Sequence, residues 1–136
     1  MDYFKWETEY ETNVKIIDEQ HKNLLDMINK LHNMQVMNLS KDKNLLLELL
    51  NEIGNYINYH FNTEEYFMQE NKYNLYDIHK TYHDEFSVSI QDIKKKINNG
   101  NKDIDRELLD FLKDWLIKHI LVIDKKLGLF LNEKSS

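Results

Sequence analysis

Two pairs of residues in this sequence have the spacing of metal ligands on a helix. His79 and His83 lie four residues apart in the segment HKTYH, and His60 and Glu64 lie four apart in HFNTE. Residues four apart share one face of an α-helix, one above the other. Each pair therefore presents two metal-ligating groups toward the same point.

Three further metal-ligating groups lie on apolar helix faces, where burying a polar side chain costs free energy. They are His21, His119 and Asp124. A buried carboxylate or imidazole without a partner loses several kcal/mol of hydration. The chain has a single arginine, Arg106, and no lysine lies at the right level of an inner face. A metal compensates all of these groups at once. The candidate ligands are His21, His60, Glu64, His79, His83, His119 and Asp124.

The spacing of five between His119 and Asp124 does not fit a regular α-helix. A local π-bulge, or fraying at the end of the helix, would bring the two side chains together. His32 serves as a control, because it lies eleven residues after His21. The same helix face returns there, but roughly 16 Å along the axis. We therefore expect His32 to be structural or solvent-facing.

The ligand types narrow the choice of metal. Seven nitrogen and oxygen ligands are too many for one zinc ion, and calcium and magnesium prefer oxygen ligands. A histidine-rich set with two carboxylates suits a pair of first-row metals. Di-iron is the first choice, with di-manganese or a mixed pair as the alternative. The ferritin-like di-iron class is excluded, since its ExxH pairs are missing from the inner positions.

Four amphipathic helices position these groups. Their apolar spacing predicts helices at about 18–37, 41–70, 75–98 and 103–126. Ser40 and Asp103 are the expected N-caps of the second and fourth helices. Asp18 lies three residues before His21, and we favour an N-cap of the first helix over a contact with that ligand. Short connections between long helices favour antiparallel neighbours. The sequence thus predicts an all-α, up-down-up-down four-helix bundle.

The chain of 136 residues is expected to form a single domain. Its predicted parts are an N-terminal arm at 1–16, the bundle at 17–126 and a short tail at 127–136. The aromatic residues of the arm would either cover the bundle or pair with another subunit.

Composition excludes several classes of partner. The net charge of −6 argues against nucleic acid and anionic membrane surfaces. No apolar run is long enough to span a membrane, and the first residues lack a signal-peptide pattern. We expect a cytoplasmic monomer, and the sequence does not identify a protein partner.

These motifs resemble the bacterial hemerythrins, which are non-haem di-iron oxygen-binding bundles. The family pattern is a lone His, then HxxxE, HxxxH and HxxxxD, and all four parts occur here in order. The flanking segments IDEQH, HFNTEE and WLIKHILVID agree, as does Trp6 in the arm. The resemblance covers about residues 6–126.

The resemblance implies how the seven groups divide. His79, His83 and His119 would hold one iron, and His21 and His60 the other. Glu64 and Asp124 would bridge the two iron ions, together with an oxo or hydroxo oxygen. The iron with two histidines would bind dioxygen beside an apolar pocket. The implied pocket residues are Leu24, Phe61, Trp115, Leu116 and Ile120.

The implied function is reversible dioxygen binding for storage, delivery or scavenging, and we expect no enzymatic activity. Two alternatives remain open at this point. One is a di-iron enzyme that acts on oxygen, peroxide or nitric oxide. The other is an iron-handling or sensor module whose conformation changes on oxidation.

Overall fold

The computed structural model describes residues 3–135, so the ends of the predicted arm and tail, residues 1, 2 and 136, lie outside it. The main helices are α1 (Lys15–Val36), α2 (Lys43–Glu70), α3 (Tyr76–Asn98), α4 (Ile104–Lys118) and α5 (Lys125–Ser135). A π-helical segment, His119–Asp124, joins α4 to α5 in one continuous rod. No described residue is in a β-strand. Within the described part of the chain, no helix combines the length and apolar character needed to cross a membrane.

The helices pack as the antiparallel four-helix bundle that the sequence predicts. Helix α1 contacts α2 and α4, and α3 contacts the same two helices. The apolar positions that recur every three or four residues are buried between them. Examples from the four helices are Leu24, Leu50, Ile93 and Leu112. Burial of one apolar stripe per helix accounts for the fold, because each stripe is covered only when all four helices meet.

The continuous helix formed by α4, the π-helical segment and α5 extends nine residues beyond the predicted end at 126, since α5 continues to Ser135. Leu127 and Leu131 explain this extension. They are buried in a small cluster with Ile17 of α1 and Met68 of α2. The residues predicted as a tail therefore cover one end of the bundle.

The predicted N-cap of α2 is wrong. Ser40 is the buried residue of a short turn before the helix, Leu39–Lys41, and its hydroxyl donates a 2.6 Å hydrogen bond to Oδ2 of Asp105. Asp42 takes the capping position, where its carboxylate accepts hydrogen bonds from the backbone N–H groups of Asn44 and Leu45. Both residues suit a cap by type, and only the position of the preceding turn decides between them.

The other two predicted caps have different outcomes. Asp103 occupies the N-cap position of α4, as predicted, although its side chain makes no capping hydrogen bond and its φ is 56°. The prediction for Asp18 is wrong, because Val14 is the N-cap of α1. Asp18 lies inside the first turn of α1. Its Oδ1 accepts hydrogen bonds from the backbone N–H of Thr12 at 2.9 Å and from the Thr12 hydroxyl at 2.7 Å. Asp18 thus ties the arm to the bundle.

The arm covers the bundle, one of the two arrangements considered above. Phe4 and Tyr10 are buried in the main core. The Phe4 backbone exchanges two 2.7 Å hydrogen bonds with the side chain of Asn29 in α1. Tyr3 stacks on His32 with 4.4 Å between ring centroids. His32 therefore has a structural contact, as predicted.

Gly128 lies where the arm crosses α5, and it has no room for a side chain. An added Cβ would lie 2.5 Å from the carbonyl oxygen of Thr12. Gly128→Ala should displace the arm and lower the free energy of unfolding by about 1–3 kcal/mol, measured in urea. Gly54→Ala is the control, since nothing lies within 4 Å of its added Cβ. That change should stabilise α2 by about 0.5–1 kcal/mol. Equal stability of Gly128→Ala and the wild type would contradict the close approach.

Candidate metal centre

The four rods of the bundle bring all seven predicted ligands to one place in its interior. Helix α1 provides a histidine, α2 a histidine and a glutamate, α3 two histidines, and the π-helical segment a histidine and an aspartate. All seven residues are buried, with at most 4% of their surface exposed. These residues are His21, His60, Glu64, His79, His83, His119 and Asp124.

The π-helical segment is what brings the last two groups together. In an α-helix, residues five apart point about 140° apart around the axis. The wider π turn removes most of this difference. His119 Nε2 consequently lies 3.0 Å from Oδ1 of Asp124. The predicted π-bulge is confirmed, and it occupies the whole interval between the two residues.

The seven groups form two overlapping clusters, each able to hold one cation. One cluster contains three histidines and the other contains two, and both include Glu64 and Asp124. Within each cluster the candidate ligand atoms lie within 4.8 Å of one another. The three-histidine cluster contains His79, His83 and His119, and the two-histidine cluster contains His21 and His60. Two shared carboxylates with two oxygens each suit a pair of ions.

The polar atoms at the centre fit a metal pair because they have no other partner. Among the described residues, Nε2 of all five histidines and all four carboxylate oxygens lack a hydrogen bond. The Nε2 atoms lie 2.8–3.6 Å from a carboxylate oxygen, but not in hydrogen-bond geometry. Buried polar groups of native proteins are almost always paired. Cations at the centre would satisfy all of these atoms together.

Electrostatics indicate that the metal-free centre has too little positive charge for two carboxylates. Burial and the neighbouring Asp124 raise the pKa of Glu64 well above its usual value. Burial opposes ionisation of Asp124 too, but His119 and other imidazoles hold its pKa well below the usual value. Without metal, one carboxylate is thus stabilised as the anion and the other is not. Cations would stabilise both carboxylates as anions, because they favour the deprotonated form of every ligand.

The pKa values of two histidines are likewise shifted in opposite directions. Burial, reinforced by His119, lowers the pKa of His83 to about 2. Burial also disfavours a charged His79, but the carboxylates of Asp124 and Glu64 outweigh it and raise the pKa of His79 to about 9. His79 is therefore the main cation of the metal-free centre.

The metal-free protein should lose stability as the pH rises from about 6.5 to about 9. A pKa that folding raises contributes stability below the unfolded-state pKa, here about 6.5, and the contribution disappears as the pH passes the folded-state pKa. The shift of His79 to about 9 corresponds to a loss of about 3 kcal/mol. Urea unfolding at both ends of this range measures it. His79→Gln should show a flatter profile, and equal slopes for the two proteins would contradict the assignment.

Two polar side chains that the sequence did not predict contact candidate ligands on the side away from the centre. Oε1 of Gln20 lies 2.6 Å from Nδ1 of His60, and Oε2 of Glu65 lies 2.9 Å from Nδ1 of His83. An Nδ1–H that donates to these oxygens leaves Nε2 unprotonated toward the centre. Each partner is adjacent in sequence to a predicted ligand, but it contacts a histidine of another helix. Helical spacing therefore gave no signal for either contact.

An apolar cavity of about 10 Å³ lies beside the centre and reaches both His60 and His119. This volume is at the lower limit for holding one water molecule, so the space is close to filled. Four of the five predicted pocket residues line it, namely Leu24, Phe61, Trp115 and Leu116. The fifth, Ile120, is buried in the core but does not line the cavity. It directly follows His119, so its side chain points to a different side of the rod.

Comparison with known proteins agrees with this arrangement. The family model "Hemerythrin HHE cation binding domain" matches residues 12–130, a range that includes all seven candidate ligands. The bacteriohemerythrin of Methylococcus capsulatus is 33% identical over 120 residues, which cover 88% of this chain and 89% of the relative. The myohemerythrin of Sipunculus nudus is 28% identical over 125 residues, covering 92% and 91% of the two chains.

Solved structures give the same result. A crystal structure of wild-type hemerythrin matches with a TM-score of 0.84 at 32% identity. The match covers 95% of this chain and 98% of the other. The sequence motifs, the fold and the buried cluster thus agree with all three comparisons, and the chain belongs to the hemerythrin family.

Proposed function

We propose that this protein binds dioxygen reversibly at a pair of iron ions, for oxygen storage, delivery or scavenging. The observation that carries the proposal is the set of buried, unpaired ligand atoms in two clusters that share both carboxylates. Membership of a family of non-haem di-iron oxygen-binding proteins supports iron as the metal. An iron pair held by these seven residues would supply the electrons for reversible dioxygen binding.

The chain offers unequal numbers of ligands to the two ions. His79, His83 and His119 would hold one ion, His21 and His60 the other, and the two carboxylates would be shared. The two-histidine position thus receives one protein ligand fewer. We propose that dioxygen binds at this position.

The surrounding residues favour a site that excludes water. Leu24, Phe61 and Leu116 form apolar walls of the cavity beside His60. The ring of Phe61 stacks on His83 at 3.7 Å, and that of Trp115 on His119 at 4.3 Å. A dry, filled cavity limits the entry of protons and competing ligands, and so favours release of dioxygen over further reduction.

The remaining buried groups favour binding over catalysis. Apart from the seven candidate ligands, the buried titratable groups in the described part of the chain are Asp105, Tyr10 and Tyr73. Asp105 is hydrogen-bonded to Ser40 at the turn that precedes α2, so it belongs to a different part of the bundle. Turnover of oxygen or peroxide requires protons to be delivered to the reacting atoms. Burial raises the pKa of both tyrosines and Asp105 lies elsewhere in the bundle, so none of these three groups readily delivers a proton to the centre.

Cycles of oxygenation test the proposal. Reduced, iron-loaded protein should develop a visible absorption band on exposure to dioxygen, lose it under vacuum, and repeat this over several cycles. Uptake should stop at about one dioxygen per chain. Continuous oxygen consumption in the presence of an electron donor would indicate the enzyme alternative, and no spectral change would contradict dioxygen binding.

We further propose that the protein acts as a monomer. Sedimentation equilibrium should then give the chain mass of 16.6 kDa. A mass of twice this value would contradict the proposal. The cytoplasmic location stays a prediction.

A further inference from the structure

The two clusters are supported from behind by side chains of different charge. His60 in the two-histidine cluster contacts the neutral amide of Gln20 at 2.6 Å. His83 in the three-histidine cluster contacts the carboxylate of Glu65 at 2.9 Å. Both contacts are made by Nδ1, the ring nitrogen that faces away from the centre. The two clusters thus differ in the residues that contact their ligands as well as in the ligands themselves.

The orientation of the Gln20 amide is determined by its other contact. Its Nε2 donates a 3.1 Å hydrogen bond to the hydroxyl of Thr63, which in turn donates to the backbone carbonyl of Tyr59. The Thr63 oxygen must therefore accept from the amide nitrogen. This leaves the amide oxygen of Gln20 facing His60, so Nδ1 of His60 is the donor.

Glu65 is partly exposed, and its carboxylate also contacts a lysine at the protein surface. Its second oxygen, Oε1, lies 3.8 Å from Nζ of Lys80, which also pairs with Asp84 at 3.0 Å. The side chain of Glu65 is 17% exposed, so water reaches part of the carboxylate. Lys80 and water favour the negative charge behind His83, whereas the two-histidine cluster has no such charge at the corresponding contact.

We infer that Glu65 is a positioning residue that strengthens metal binding in the three-histidine cluster, with Gln20 as its weaker, neutral counterpart in the two-histidine cluster. A carboxylate that accepts the Nδ1–H of a histidine orients the ring and makes Nε2 a better donor to metal. An amide orients the ring but adds no charge. The two metal positions consequently differ in affinity. This inference rests on the proposed metal pair but not on dioxygen binding.

Titration of the metal-free protein with Co²⁺ alone, followed by visible absorption without oxygen, tests this inference. Wild-type protein should bind two ions in separate steps, the tighter one at the three-histidine position. Glu65→Gln keeps an acceptor for His83 but removes the charge. Its first step should weaken about ten- to a hundredfold, the range typical of partners behind a metal ligand. The second step should change little, and Gln20→Glu should strengthen that step instead.

Glu70→Gln is the matched control, since Glu70 is an exposed acid on the same helix. It should leave both steps unchanged, and metal-free Glu65→Gln should unfold at the wild-type temperature. Equal weakening of both steps by Glu65→Gln, or no weakening at all, would overturn this inference alone. A wild-type protein that takes up fewer than two Co²⁺ ions would instead overturn the proposed function.

Discussion

Glu64→Met should make the metal-free protein more stable and leave it unable to hold two ions. Glu64 is fully buried, and neither of its oxygens has a hydrogen-bond partner among the described residues. Burial and Asp124 raise its pKa, which shows that its charge is poorly compensated without metal. Methionine fills a similar volume without that cost. Asp124 remains 3.1 Å from His79 as its counter-ion, so the substitution leaves that charge paired.

The expected gain in the free energy of unfolding of the metal-free protein is about 1–3 kcal/mol, the cost of an unsatisfied buried polar group. Urea unfolding measures this gain, and metal analysis should find at most one iron per chain. Glu70→Met, at an exposed position on the same helix, should change stability by less than about 0.5 kcal/mol. A metal-free Glu64→Met protein less stable than the wild type would show that Glu64 is a structural residue.

Leu116→Ala should destabilise the bundle and also speed autoxidation of the iron-loaded protein. Leu116 is buried on α4 and lines the cavity beside the centre. Removing its side chain should lower the free energy of unfolding by about 2–5 kcal/mol, as buried leucine truncations do. The enlarged cavity should also admit water and protons to the bound dioxygen. Decay of the oxygenated absorption band in air measures the rate.

Leu108→Ala separates these two effects. Leu108 lies on the same helix and is fully buried, but it does not line the cavity. It should lose a similar amount of stability while autoxidation stays at the wild-type rate. If both variants oxidise equally fast, general loosening of the bundle explains the effect, and the wall at Leu116 has no specific role.

The sequence predicted the bundle well because the helix signal is local. Apolar residues at helical spacing located the first three helices to within three residues at each end. The continuation into α5 was missed, since Leu127 and Leu131 are buried only through contacts with distant parts of the chain. The cap of α2 was missed for a related reason: the turn before the helix decides which polar residue is used.

The candidate ligands were predictable because buried charge is costly at any position. The odd spacing of His119 and Asp124 even located the π-helical segment. Gln20 and Glu65 were not predictable, because each contacts a histidine of a neighbouring helix. Such contacts depend on the relative rotation of two packed helices, which spacing along one helix does not contain.

X-ray absorption at the iron edge, combined with an iron assay of the reconstituted protein, tests the central claim most directly. We expect two irons per chain, nitrogen and oxygen ligands only, and a second iron within about 4 Å of the first, as in other two-metal sites. One iron per chain, or two irons without mutual scattering, would contradict a shared centre formed by the five histidines, Glu64 and Asp124.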